Sequence, residues 1–175
     1  MSRRCHLTDP SYLEAVRWGQ EDKGCDPCAL LQAHLGWRSR PSVPRLVHWL
    51  VQQAPEALLK PGPTLLLLRV ASYLNAKSGT AWIGRRTLAA LSDQDRKTTD
   101  THAVVLTRPW RSEGDWFPPL FRLHLKGWGS KRLVHWVPLG KGWQAFIEVV
   151  ALHAKARKES ARAARRRATS REVPK

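Results

Sequence analysis

Acidic residues are scarce in this chain of 175 residues, where 14 Asp and Glu stand against 30 Lys and Arg and leave a formal net charge of +16. Carboxylates this few and this scattered do not form the cluster that a two-metal nuclease requires. The sequence also lacks a phosphate-cradling glycine loop, a nucleophile elbow and a His-Glu-x-x-His motif. We therefore predict no catalytic residue and no enzymatic activity.

Long apolar runs are missing as well. The strictly apolar runs are no longer than that of Leu65 to Leu68, far below the roughly 20 residues that span a bilayer. Arg3 and Arg4 are followed by polar residues instead of the apolar stretch of a secretory signal. Three cysteines are too few for a disulfide framework, which agrees with a reducing compartment. These features predict a cytoplasmic protein with no membrane partner.

The few cysteines include one pair with metal-ligand spacing. Cys25 and Cys28 are separated by two residues, and His34 could complete a tetrahedral zinc site together with Cys5 or His6. The alternative is two buried thiols at the start of a helix, and we favour it because a single pair is a weak signal. No cofactor is predicted beyond this zinc alternative.

Charge is distributed unevenly along the chain. Residues 1–60 carry a net charge of +2, whereas residues 61–140 and residues 141–175 carry +7 each. Such an excess favours a polyanion partner, because Lys and Arg on a DNA surface release condensed counterions. The alternative is a solvated basic surface. Nine tryptophans predict a folded chain with one core, which we divide into an N-terminal helical cap (1–60), a central domain (61–140) and a C-terminal helix with a basic tail (141–175).

Helix signals dominate the first 75 residues. Asp9-Pro10 and Asp26-Pro27 each place a capping oxygen before a proline at the first helical position, and Gly19 and Gly36 are the predicted ends of these two helices. A third helix is predicted from Ser42 to Gln53 and a fourth, leucine-rich one from Thr64 to Asn75, after the start signal Gly62-Pro63.

The central domain then shows a helix-turn-helix pattern followed by alternation. A short helix from Arg85 to Leu91, a turn at 92–94 and a helix capped by Asp95 that runs to about Leu106 form the predicted unit. Alternating apolar and polar residues at 121–126 and 131–137, with Gly127 to Ser130 between them, predict a β-hairpin. If Lys126 pairs with Lys131, then Leu123 faces Val134 and Phe121 faces Trp136.

The C-terminal segment is predicted to be helical from Trp143 to about Arg167. Its apolar stripe could be a dimer interface or could pack on the protein's own core, so a homodimer stays open; the stripe consists of Trp143, Phe146, Ile147, Val150 and Ala154. From Lys155 onward nine basic and two acidic residues follow, and we expect this part to be solvated until it meets an anion.

Residues 79–106 carry a resemblance to a known family. Trp82, the run Thr87-Leu88-Ala89 with Leu91, Ser92 in the turn, the cap Asp95 and Leu106 fall in the same register as the helix-turn-helix of the winged-helix proteins of plasmids, phages and other mobile elements. The turn departs from that pattern at Asp93, where the family usually has Gly, and at Gln94, where an apolar residue is usual. The chain thus resembles the winged domain of replication initiators and related transcriptional regulators over about residues 61–138.

The resemblance implies a mainly α fold with a small β-hairpin, that is, a winged helix-turn-helix with an N-terminal helical extension and a basic C-terminal helix. It also implies binding of double-stranded DNA, in the regulation of transcription or in replication initiation. Two alternatives stay open: an RNA-binding or architectural protein that relies on its basic tail, and a protein-interaction module that uses exposed tryptophans.

Candidate DNA contacts follow from this arrangement. Burial of Thr99, Ala103 and Leu106 would leave the opposite face of the second helix, with Asp100 and Val104, exposed to a duplex. Arg96 and Lys97 lie at its N-terminus, where we expect contacts to bases or phosphates. The full set of predicted DNA-binding residues comprises the two helices, the hairpin tip and the tail: Arg85, Arg86, Arg96, Lys97, Thr101, Lys126, Trp128, Lys131, Arg132, Arg165, Arg166 and Arg167.

Overall fold

The computed structural model describes residues 9–53, 59–112, 114–126 and 133–171. The helices in these ranges are α1 (Pro10–Glu21), α2 (Pro27–Leu35), α3 (Val43–Gln53), α4 (Pro61–Ser72), α5 (Arg85–Leu91), α6 (Arg96–Leu106) and α7 (Gly140–Arg171). The strands are β1 (Ala81–Ile83), β2 (Trp110–Ser112), β3 (Asp115–Phe117), β4 (Phe121–Lys126) and β5 (Leu133–Pro138). The prediction of a mainly helical protein with a small antiparallel sheet is confirmed.

The first two helices begin at the predicted caps. Asp9 accepts a hydrogen bond from the backbone N–H of Ser11, and Asp26 accepts one from Cys28. Helix α2 ends at Gly36, which has a φ of 63°. The predicted end of α1 at Gly19 is wrong, because the helix continues to Glu21. Gly19 instead provides room for a close neighbour, since a Cβ added there would lie 2.6 Å from the Pro119 Cγ.

Helix α3 agrees with its prediction, whereas α4 begins and ends three residues earlier than predicted. Its first residue is Pro61, where the missing N–H of proline costs no helical hydrogen bond. Asn75, the predicted end, belongs to the following loop. Its side chain accepts hydrogen bonds from the backbone N–H groups of Lys77 and Ser78, and its own N–H donates to the Thr80 carbonyl. This competition for backbone groups explains the earlier end.

The main sheet is antiparallel with the strand order β1-β5-β4, and a separate hairpin is formed by β2 and β3. The predicted hairpin of β4 and β5 is confirmed, but its register is shifted by two residues: Lys126 pairs with Leu133, and Leu123 pairs with Trp136. A shift of two keeps every side chain on its face, because side chains alternate with a period of two. Strands β1, β2 and β3 were not predicted. The residues that connect β4 to β5 lie outside the described ranges.

One hydrophobic core joins the sheet to the helices. Phe121 lies edge-on to Trp136 and to Trp143, with ring centroids 5.6 Å apart in both pairs. Buried leucines of α2, α3 and α4 belong to the same cluster. The predicted stripe of α7 is buried in this core from Trp143 to Val150, with at most 1 % of each of its four large side chains exposed. The stripe therefore packs on the protein's own core and does not form a dimer interface.

A polar joint connects α1, the sheet and α7. The Nη2 of Arg122 lies within 2.9 Å of the carbonyl oxygens of Gly19, Gln20 and Asp22 and donates to them at the end of α1. The carboxylate of Asp22 accepts hydrogen bonds from the backbone N–H groups of Lys141 and Gly24, both at 2.9 Å. Burial raises the pKa of Asp22, but these backbone donors and nearby Arg122 outweigh burial, so that its pKa is lowered.

We expect an Asp22→Asn variant to lose about 1 kcal/mol of its free energy of unfolding at pH 7, because an amide offers one acceptor oxygen to two N–H donors. The lowered pKa means that the carboxylate stabilises the fold above pH 4 and ceases to do so as the pH falls through its folded pKa. Urea unfolding should therefore separate the variant from the parent at pH 7 and bring them together as the pH falls below the folded pKa of Asp22. Asp115→Asn, at an exposed position, is the control. Equal stability of the Asp22 variant and the parent at pH 7 would contradict the joint.

Candidate nucleic-acid interface

Helices α5 and α6 are joined by a tight turn in which Asp93 has a φ of 50°. Asp is one of the few residues that adopt this left-handed conformation readily, which explains why it can replace the glycine of the family pattern. The N–H of Gln94 donates to the Ala89 carbonyl, and Asp95 caps α6 through both the N–H and the hydroxyl of Thr98. The Thr98 hydroxyl, followed by its N–H, lowers the pKa of Asp95, so the cap is charged at neutral pH.

Gln94 takes part in the docking of α6 through a polar contact. Its side-chain oxygen lies 3.0 Å from the Nδ1 of His102. The His102 ring in turn packs over Gly62 of α4, where a Cβ would overlap the ring. Thr99 and Leu106 on the same side of α6 are buried. A hydrogen-bonded pair thus docks α6 at the position where an apolar residue was expected from the resemblance.

The opposite face of α6 is open to solvent. Arg96, Lys97, Thr101 and Val104 are exposed, as the helical period predicted. Arg96 and Lys97 occupy the first turn, where the helix dipole disfavours positive charge. Two cations at this end are unfavourable for the isolated helix, and the charged cap Asp95 and the carboxylate of Asp100 offset part of that cost.

Asp100 lies between the two helices of this face. Its carboxylate is 3.5 Å from Arg85 Nη1 and 4.0 Å from Arg96 Nε. All three side chains are at least 40 % exposed, so these ion pairs add little to stability. They do hold two guanidinium groups over the same face. Sequence reasoning placed Asp100 outward without assigning it this role, although its i, i+4 spacing from Arg96 was a usable signal. Arg86 is exposed beside Arg85.

The remaining predicted contacts are distributed over other parts of the chain. Lys126 is exposed at the end of β4. Trp128, Lys131 and Arg132 lie outside the described residues. The three arginines of the tail are exposed on the distal half of α7; they are Arg165, Arg166 and Arg167. Among the predicted contacts, the structure brings together those of α5 and α6 around Asp100.

A second group of side chains, which sequence reasoning did not assign to a site, lies on the outer face of the sheet. Trp82, His135 and His124 form a row across β1, β5 and β4, since Trp82 pairs with His135 and His135 with His124. Burial, followed by the neighbouring charges of His124 and Lys126, lowers the pKa of His135, so this ring is neutral at pH 7. These side chains alternate along their strands with buried residues. That pattern would have indicated a shared outer face if β1 had been recognised in the sequence.

Between α6 and the inner face of the sheet lies a mostly apolar cavity of about 170 Å³. Its walls include Ala103 of α6 and both Leu123 and Trp136 of the sheet. Helix α6 therefore faces the inner side of the sheet, and the row of aromatic rings faces the other way.

The cysteine pair serves the packing of α2. Cys28 is buried in the core, and its N–H donates to Asp26, which pairs with Arg40. Burial raises the pKa of both Cys25 and Cys28, which favours the thiol over the thiolate that zinc binds. Across the described ranges, no group of three or more His, Cys, Asp or Glu side chains is placed to hold a metal ion. His34 is exposed.

Comparison with known protein families, with curated proteins and with solved structures finds no match to this chain. In the part of the chain that the structure describes, no helix has the length and apolar character needed to cross a membrane.

Proposed function

We propose that the protein is a winged-helix protein that binds double-stranded DNA, with α6 as the recognition helix. The order α4, β1, α5, α6, β4, β5, with the β2–β3 hairpin between α6 and β4, and the sheet order β1-β5-β4 support this proposal. In a winged helix-turn-helix the connection between the last two strands would be the wing. The N-terminal helices and α7 are then additions to this unit.

The observation that carries the proposal is the face of α6. Its N-terminus is capped, its inner side is docked by Thr99 and Leu106, and its outer side presents Arg96 and Lys97 to solvent. Bidentate donation from Arg or Lys to the O6 and N7 of guanine is the commonest specific contact in the major groove. Arg85 and Arg86, at the start of α5, would bind phosphates of the duplex. The function proposed is regulation of transcription or initiation of replication on a mobile element.

Selection of bound duplexes from a random pool at physiological salt tests this function and yields the target site. An Arg96→Ala/Lys97→Ala variant should then lose about 1–3 kcal/mol of preference for that site over random duplex for each base contact removed. Arg17→Ala/Lys23→Ala removes one Arg and one Lys charge from exposed positions in α1 and just after it, and should leave the preference unchanged. Recovery of no enriched sequence, or equal effects of the two double variants, would contradict recognition by α6.

A second function, RNA or architectural binding, is favoured by one observation. Every described side chain from Lys155 to Ala168 is exposed, and this part of α7 is strongly basic. Such a helix binds phosphates without reading sequence.

A further inference from the structure

The outer face of the three-stranded sheet carries a patch in which Lys126 alone is among the predicted duplex contacts. The patch consists of Trp82, His124, His135 and Lys126, and we refer to it as the outer-sheet patch. One end of this sheet face is covered, because Arg122 is held by the carbonyls at the end of α1. The patch and the neighbouring Leu133, which pairs with Lys126, remain open.

Trp82 is the central side chain of the patch. Its indole lies parallel to the His135 ring, with centroids 4.1 Å apart and an interplanar angle of 6°. The side chain nevertheless remains 46 % exposed. His135 covers only part of this large apolar side chain. The stacking therefore holds the indole in a fixed orientation and leaves apolar surface that a ligand can cover.

A cation lies near this ring, because the Nζ of Lys126 is 5.8 Å from the Trp82 centroid. His124 is exposed next to His135. An aromatic ring next to a cation on an open sheet face matches the two parts of a nucleotide, because the base can stack and the phosphate can pair with the ammonium group. The net charge of +16 makes a polyanion the complementary partner.

We propose that the outer-sheet patch binds an unpaired nucleotide of a single-stranded nucleic acid, with the base stacked on Trp82 and the phosphate bound by Lys126. A paired base does not offer its face to a side chain, so this site is selective for melted or single-stranded regions. The site goes beyond the proposed duplex binding, and it uses the side of the sheet that faces away from α6.

The inference is tested by binding of fluorescein-labelled dT15 to the full chain, measured by anisotropy. Trp82→Ala should weaken binding roughly 5- to 100-fold, whereas Trp82→Phe, which keeps an aromatic face, should retain most of the affinity. Lys126→Ala should weaken binding and lower the salt slope by about 1. An rU15 oligonucleotide of equal length shows whether DNA or RNA is the preferred source of the unpaired base.

A second measurement identifies the contacted peptide directly and does not compare affinities. A dT15 oligonucleotide with one 5-iodouracil should crosslink on irradiation to the tryptic peptide of residues 78–85, which contains Trp82 as its single aromatic residue. Crosslinks confined to other peptides, or unchanged dT15 affinity in Trp82→Ala with normal circular dichroism, would overturn the site and would favour a protein partner for this patch.

Failure of this inference is distinguishable from failure of duplex binding. Trp82→Ala should keep the affinity for the selected duplex within about twofold, while Arg96→Ala/Lys97→Ala should reduce duplex preference and leave the Trp82 crosslink in place. Loss of duplex binding in Trp82→Ala at unchanged dT15 affinity would contradict the inference and leave the role of α6 intact.

Discussion

A Gly142→Ala variant is expected to lose roughly 3 kcal/mol or more of its free energy of unfolding, enough to unfold a marginally stable domain. Gly142 lies in the first turn of α7, where a Cβ would overlap the Pro119 carbonyl oxygen and lie 2.8 Å from the Pro119 carbonyl carbon and 3.2 Å from the Pro118 oxygen. These are backbone atoms, which cannot move aside by a change of rotamer. Relief of the overlap requires α7 to shift, and α7 carries Trp143 and Phe146 into the core.

Urea unfolding followed by circular dichroism measures this effect. Gly84→Ala is the matched control, since the nearest atom to its added Cβ is the Thr87 Oγ1 at 3.7 Å, and we expect its cost to stay below about 1 kcal/mol. Equal stability of Gly142→Ala and Gly84→Ala would contradict the close packing of α7 on the 118–119 segment.

The second large effect is expected from truncation after Ala154. This removes nine basic and two acidic residues and leaves the last large core residue of α7, Val150, in place. Loss of about four phosphate contacts would lower the slope of log K against log salt by between 3 and 4 in magnitude, and affinity for any duplex would fall roughly 100-fold or more at 50 mM salt. Anisotropy with selected and random duplexes over a salt series checks both values.

The ratio of selected to random affinity is the internal control of this truncation, because phosphate contacts carry no direct sequence information. We expect that ratio to be maintained in the truncated chain and reduced in Arg96→Ala/Lys97→Ala. If truncation abolishes all binding while the α6 variant changes nothing, the protein is an RNA-binding or architectural protein that relies on its tail.

The sequence predicted where helices begin better than it predicted which distant residues pack against them, because helix caps depend on local signals. The caps Asp9, Asp26 and Asp95 each form within three residues, so the sequence alone indicates them. Gly19 was misread because its reason for being glycine, Pro119, is one hundred positions away. The same limit applies to the three-residue strand β1, which becomes regular only through its pairing with β5.

The same contrast holds for the candidate functional residues. The exposed face of α6 follows from helical periodicity and a capped start, so the exposure of Arg96 and Lys97 could be predicted. The outer-sheet patch could not, because it depends on the pairing of β5 with β1, which is distant in the chain. The hairpin register was wrong by two residues, and the assignment of faces survived because that error is an even number.

The length of α7 has a consequence for the energetics of its own distal half. Lys155, Lys158 and Arg162 follow one another at intervals of three and four residues, so a column of like charges lies along one side of an exposed helix and weakens it. A phosphate chain lying along that side would neutralise the column and stiffen the helix at the same time. Binding of a polyanion to this helix and the folding of its last four turns are therefore coupled equilibria. The melting temperature of this segment should then depend on what is bound to it.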